Sequence, residues 1–285
     1  MRKFYASLCV VAAILAMGCL VLGIQGFLEE RSAGKEYETL LNTEASKETE
    51  LQMTESQTGE ESPSEEQKVT EEAATESTTE TVVVESNGFV TREDIDFTKL
   101  QGINPHIYAW IEVEGTKVDY PIAQHPTDNT YYLTHTIEGA KTTAASIYTE
   151  YYNSTDFEDH HTVIYGHNMK NGTMFRTLHN FEDYDFFEEH RDITIYMPDQ
   201  TRHYKVFAAY TYDNRHLMNT YYCEEPESFQ RYLDEVFSIR DMGAYIDHDM
   251  EVTGEDYIIT LSTCVNSGNA TQRYLVQAVL VSIDK

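Results

Sequence analysis

Residues 257–264 read Tyr257-Ile258-Ile259-Thr260-Leu261-Ser262-Thr263-Cys264, a short run of β-branched and apolar side chains that ends in a cysteine. Such a run predicts a strand. Alternation places Tyr257, Ile259 and Leu261 on one face and Thr260, Ser262 and Cys264 on the other, so the sulfur shares its face with two hydroxyls. Val265-Asn266-Ser267-Gly268-Asn269 follows as a turn-forming loop, and Arg273 opens the next apolar run. If the two strands pair through that loop, Arg273 returns to the neighbourhood of Cys264. A guanidinium there favours the thiolate and can hold a carbonyl oxygen.

Upstream and downstream, the same signature recurs at residues 108–113, 117–120, 145–149, 162–165, 193–197, 204–212 and 274–283. Counting 257–262, eight short strands bounded by turn formers predict a mainly β domain, a barrel or a sandwich. Helical signals are fewer: residues 94–100, 173–179 and 184–189 are short candidates. Residues 227–238 are stronger, because Pro226 suits a helix start and Phe229, Leu233, Val236 and Phe237 recur at helical spacing. All of this lies in residues 88–285, which hold the single Trp and 19 of the 21 Tyr and are long enough for one domain.

Residues 29–87 differ sharply. Glu, Thr, Ser and Gln dominate, and residues 29–85 carry 17 Glu against Arg31, Lys35, Lys47 and Lys68. So little apolar surface cannot offset the entropy of ordering, and like charges repel, so the segment reads as a disordered acidic tether. Residues 4–24 carry no charge. As a helix they span about 30 Å, the hydrocarbon thickness of a bilayer. Arg2 and Lys3 precede the run and Glu29 and Glu30 follow it, which predicts a cytoplasmic N-terminus and an extracellular remainder. Residues 1–28 thus read as a single membrane anchor. A cleaved signal peptide has a shorter apolar core of about 7 to 15 residues. A lipoprotein signal would use Cys19 after Ala16-Met17-Gly18, yet the apolar run continues through residue 24.

The chain carries 49 acidic and 20 basic side chains, a net charge of −29, which argues against a nucleic-acid partner. Four cysteines are too few for a disulfide-stapled miniprotein. Taken alone, Cys264 has three readings: a buried inert thiol, one half of a disulfide with Cys223, or a nucleophile. A nucleophile needs an acid/base partner. Among eleven histidines, His167 stands out because Thr162-Val163-Ile164-Tyr165-Gly166-His167 is a strand that ends on it. Asp159, His160, His161 and His167 could hold a metal, but neither CxxC nor HExxH occurs, so no metal site is assigned.

Thr260-Leu261-Ser262-Thr263-Cys264 resembles the TLxTC signature of the sortases, the membrane-anchored cysteine transpeptidases of Gram-positive bacteria. Gly166-His167 is similar to their histidine site, and Arg273 falls where their arginine follows the cysteine. Residues 103–135, INPHIYAWIEVEGTKVDYPIAQHPTDNTYYLTH, are similar to class B members in their Asn-Pro, Trp, Tyr-Pro and Tyr-Tyr-Leu elements, as is a helix at 227–238. The resemblance covers residues 89–285. It implies an eight-stranded β-barrel with peripheral helices, and Cys264 as nucleophile, His167 as acid/base and Arg273 as stabiliser of substrate or oxyanion. Asn129, Leu133, Tyr165, Ser262 and Thr263 match positions that line the family's sorting-motif groove, while the loop from 212 to 223 receives no assignment. Val265 departs from the polar or acidic residue often found after the class B cysteine. The implied reaction needs no cofactor. It cleaves a threonine-containing sorting motif in secreted proteins, passes through a thioester, and transfers the acyl group to an amine of a peptidoglycan precursor or a pilin. A cysteine peptidase using water and a non-catalytic surface-binding module are the competing functions.

Overall fold

The computed structural model describes residues 92–221, 223–265 and 271–285. The expected anchor at 1–28 and tether at 29–87 lie outside them. Among the described residues no helix is long and apolar enough to cross a membrane.

The strands are β1 (Ile107–Val113), β2 (Asp119–Gln124), β3 (Ile147–Thr149), β4 (His161–Tyr165), β5 (Asp192–Tyr196), β6 (Thr201–Asp213), β7 (Tyr245–Ile246), β8 (Ile258–Cys264) and β9 (Gln272–Asp284). They run in the order β5-β1-β2-β3-β4-β8-β9-β6, and β6 pairs back onto β5, closing an eight-stranded barrel. The short β7 hangs on β6 beyond the β5 pairing, at Ala208 and Ala209. Each of the eight expected strands is present. Pro121 sits inside β2, where the sequence pattern predicts the strand to have ended; it is tolerated because the β3 pairing starts only at Ile122, so the missing N–H interrupts no ladder on that side.

The helices are α1 (Phe97–Ile103), α2 (Tyr184–Glu189), α3 (Leu217–Thr220) and α4 (Pro226–Ser238), with 3-10 turns at Tyr131–Leu133 and Phe175–Glu182. α1 begins three residues later than expected because the Asp96 carboxylate caps it, accepting the Lys99 N–H at 3.0 Å. The segment expected as a helix at 173–179 is a 3-10 turn displaced to Phe175–Glu182, after Met174 takes a positive φ of 55°.

Both barrel faces of the central strands are covered. Inward side chains such as Ile111, Ile122, Ile164, Ile195, Leu261 and Val276 fill the interior. On the outside, α4 lays Phe229, Tyr232, Leu233 and Val236 over Val163, Phe207 and Leu275. Those four helix side chains are buried, and each contributes about 1.5–3 kcal/mol by leaving water. The helix covers one end of the β4–β8–β9–β6 surface. The other end, where β4 and β8 terminate, stays open.

Candidate active site

The open end is a cleft of about 220 Å³. Strand pairing explains what it contains. Cys264, at the last position of β8, is the register partner of Arg273 in antiparallel β9, and Arg273 in turn faces Tyr212 of β6. Directly paired residues point to one side of a sheet, so sulfur, guanidinium and phenol share the outer face. β4 runs parallel to β8 with Tyr165 opposite Ser262, and the Gly166 N–H donates to the Ser262 carbonyl at 3.1 Å. Continuing that register by two residues carries His167 alongside Cys264. All three expected catalytic side chains line the same cleft.

Gly166 is glycine for a steric reason. A Cβ there would lie 2.6 Å from the Phe175 ring and 2.6 Å from Ile147 Cδ1. The chain can therefore press against the barrel and turn the next residue, His167, outward. The His167 Nε2 is 2.9 Å from the Leu133 carbonyl, which only accepts, so Nε2 carries a proton and Nδ1 is the basic nitrogen of the neutral ring. Arg273 Nη1 donates to the Gln272 carbonyl at 3.1 Å.

Cys264 is partly exposed, and both Cys264 and Cys223 are free thiols, which removes the disulfide reading. The two differ in environment. Burial pushes the Cys223 thiol up to about 12, so it stays protonated beneath α4. The other residues considered as ligands are committed elsewhere. Asp159 accepts from Asn153 and Ser154, His160 faces the Asp256 carbonyl at 3.0 Å, and His161 is buried against Thr260.

Of the expected groove residues, Leu133, Tyr165, Ser262 and Thr263 line the cleft. Asn129 does not; its Oδ1 accepts the Tyr151 N–H at 2.8 Å. The structure adds residues that the sequence reading leaves out. Tyr148 stacks on Tyr165 at 5.4 Å as a floor, and Glu150, two residues on, shares its face. Burial, then the Glu150 charge, hold both phenols well above the ordinary tyrosine range, while Arg273 works the other way. Both remain hydrogen-bond donors. From the opposite wall His216 donates through Nε2 to Glu150, with the two oxygens at 2.8 and 3.0 Å. Its Nδ1 accepts the Asn219 N–H at 3.3 Å and caps α3, which fixes the tautomer. A carboxylate directly after β3 and an imidazole after β6 thus strap the 214–217 segment across the cleft.

The sequence model of the sortase domain family matches residues 111–281. Sortase B of Listeria monocytogenes is 34% identical over 210 residues, 72% of this chain and 80% of its own length. Among solved structures, sortase B of Clostridium perfringens superposes with a TM-score of 0.58 at 29% identity, covering 66% of this chain and all of that one. A substrate complex of Staphylococcus aureus sortase B gives 0.56 at 30% identity, covering 65% of this chain and 84% of that one. A barrel closed in this order, a cysteine at the end of one inner strand and relatives of one class in both sequence and structure agree: the chain belongs to the sortase family of cysteine transpeptidases, within class B.

Proposed function

We propose that Cys264 is the nucleophile of this transpeptidase, His167 its acid/base and Arg273 its electrostatic stabiliser, acting on a threonine-containing sorting motif. The observation that carries the reading is the convergence of three side chains from β8, the end of β4 and β9 on one open cleft.

An amide has a poor leaving group, so exchanging one for another calls for covalent catalysis in two steps. The Cys264 thiolate adds to the threonine carbonyl, and the carbonyl π electrons move to oxygen. Arg273, paired across the strand from Cys264, stabilises that oxyanion with its planar donor fork, assisted by a backbone N–H. His167 protonates the departing amine as the C–N bond breaks, leaving a thioester. An incoming primary amine then loses its proton to His167, adds to the thioester, and expels the Cys264 thiolate. Leu133, Tyr165, Ser262 and Thr263 hold the motif against the cleft wall.

The substrates are secreted proteins bearing a C-terminal sorting signal, and the acceptor is an amine of a peptidoglycan precursor or a pilin. Residues 1–28 hold the enzyme in the membrane with its N-terminus cytoplasmic, and the acidic segment at 29–87 carries the catalytic domain outward. The supports are the 21-residue uncharged run, the basic flank before it and the acidic flank after it.

The test is to incubate the full chain with a library of threonine-containing peptides and measure its mass. An acyl adduct on Cys264, discharged by an added amine to a ligated peptide, is expected. The Cys264→Ala protein should form neither product. An adduct that persists in that variant would remove the nucleophile assignment, and discharge to hydrolysed peptide alone at saturating amine would favour the peptidase.

A further inference from the structure

Up to Gly166 the parallel pairing of β4 with β8 is regular, and the Gly166 N–H donates to the Ser262 carbonyl at 3.1 Å. In such a ladder every second residue of a strand donates, so the next rung would run from the Asn168 N–H to the Cys264 carbonyl. The backbone does not supply it. β4 ends at Tyr165, and Asn168 pairs instead with Met174 across an isolated bridge, beside the Phe175 N–H that donates to the His167 carbonyl at 3.0 Å. Without another donor, the main-chain carbonyl of the residue that carries the sulfur would lose its place in the sheet.

The Asn168 side chain supplies the rung in place of its own main chain. Nδ2 donates to the Cys264 carbonyl at 2.7 Å and reaches the Val265 carbonyl at 3.3 Å. Arg176 fixes which edge of the amide faces β8, because its Nη1 donates to Asn168 Oδ1 at 3.1 Å and only the oxygen can accept there. His179 Nε2 closes the remaining side, 3.0 Å from the same carbonyl and 2.9 Å from Asn168 Nδ2. Asn168 is 6% exposed and does not line the cleft, so it holds the backbone of the site without meeting a peptide bound there. His167 is covalently joined to Asn168, and the Asn168 amide is hydrogen-bonded to Cys264. The register that carries His167 alongside Cys264 is thereby kept beyond the end of the backbone ladder.

We propose that Asn168 is a positioning residue: its side-chain amide replaces the missing rung between β4 and β8 and so fixes the separation of the His167 imidazole from the Cys264 sulfur. The proposal rests on the reading of those two residues given above. Neither amide hydrogen takes part in the reaction. What the clamp supplies is placement, on which both the attack by sulfur and the proton transfer by the imidazole depend.

The experiment determines kcat and KM, per folded molecule, for a threonine-containing peptide and an amine acceptor in the full chain and in its Asn168→Asp and Arg176→Met variants, with Cys264→Ala as the blank. Aspartate keeps the shape of the side chain and its contact with Arg176, but turns an acceptor instead of a donor to the Cys264 carbonyl. Arg176 is exposed, so its replacement leaves the fold intact while releasing the Asn168 amide. An ångström of misplacement costs about a hundredfold, so Asn168→Asp should lower kcat roughly tenfold or more and Arg176→Met roughly threefold, with KM for the peptide within about twofold of wild type in both. A purely structural role would leave kcat per folded molecule unchanged, and a contact with substrate would raise KM instead. Either outcome in Asn168→Asp overturns the proposal, and Arg176→Met decides in the same way if the aspartate variant does not fold. A wild-type chain that forms no ligated peptide, or a Cys264→Ala blank that does, removes the underlying reading and this proposal with it, whereas normal transfer by wild type and variants alike removes this proposal alone.

Discussion

His161 makes the stability of this barrel depend on pH in a way that can be worked out from its surroundings. Its ring is 2% exposed, on the outer face of β4 beneath α4, stacked on Tyr232 at 5.0 Å. Nε2 meets the Thr260 hydroxyl at 2.7 Å, and buried Nδ1 has no partner. Burial pushes the ring down to about 3. In the unfolded chain it takes up a proton near pH 6.5. Between those two values the unfolded state binds more protons than the folded one, so stability falls as pH falls. Above about 6.5 the ring has no effect, and below about 3 the loss is complete. Linkage gives a loss of about 2 kcal/mol between pH 7 and 5 and about 3 kcal/mol by pH 4. The assay is urea unfolding followed by the fluorescence of Trp110, the single tryptophan, which is 3% exposed. His161→Gln retains a polar group facing Thr260 but does not titrate. It should be less stable than wild type at pH 7, with the gap narrowing by about 2 kcal/mol at pH 5. Other ionisations are common to both proteins and cancel. Parallel stability curves from pH 7 to 4 would refute the reasoning.

Three substitutions probe the cleft. Arg273→Lys keeps the charge but replaces a planar fork by a point donor, and should lower kcat/KM roughly a hundredfold in peptide transpeptidation; a value within twofold of wild type would show that the fork is not used. Gly166→Ala drives a Cβ into Phe175 and Ile147, so urea unfolding should show a loss of about 1–3 kcal/mol, with turnover falling further because His167 is displaced; unchanged stability would contradict the close approach. Glu150→Gln removes the charge that His216 holds across the cleft. It should raise KM several-fold for the sorting peptide with kcat nearly unchanged, and an unaltered KM would mean that the strap does not shape the site.

Local patterning carries the strands because β-branched and aromatic runs bounded by turns are a property of a few adjacent residues. Where it misplaces boundaries, the missing information is tertiary or lies in a single cap. Pro121 reads as a strand end and is not one, since only the late start of the β3 pairing makes its missing N–H harmless. Asp96 shifts α1 by supplying a cap within the segment read as helix. β7 has two residues and leaves no periodic signal. Past Asp213, where β6 ends, the chain up to residue 221 has no strand register to align. That is why His216 and its Glu150 partner, 66 positions apart, emerge only from the fold.

The site divides along the same line, and the kind of strand pairing decides where. Cys264 and Arg273 meet through neighbouring antiparallel strands joined by a turn-rich loop, a contact that alternation and turn formers anticipate. His167 arrives by a different route. β4 lies parallel to β8, nearly a hundred residues away along the chain, and a parallel neighbour is set by crossovers rather than by any local turn. No pattern in the residues around His167 encodes that adjacency; the family resemblance supplied it, and the shared register then explains it. Asn168 and His179 show the consequence. Both reach the Cys264 carbonyl only because the parallel pairing places the end of β4 and the following 3-10 turn against the end of β8. The groups that surround the Cys264 backbone are therefore the least legible in sequence, and perturbing them tests the architecture that assembles the site as well as its chemistry.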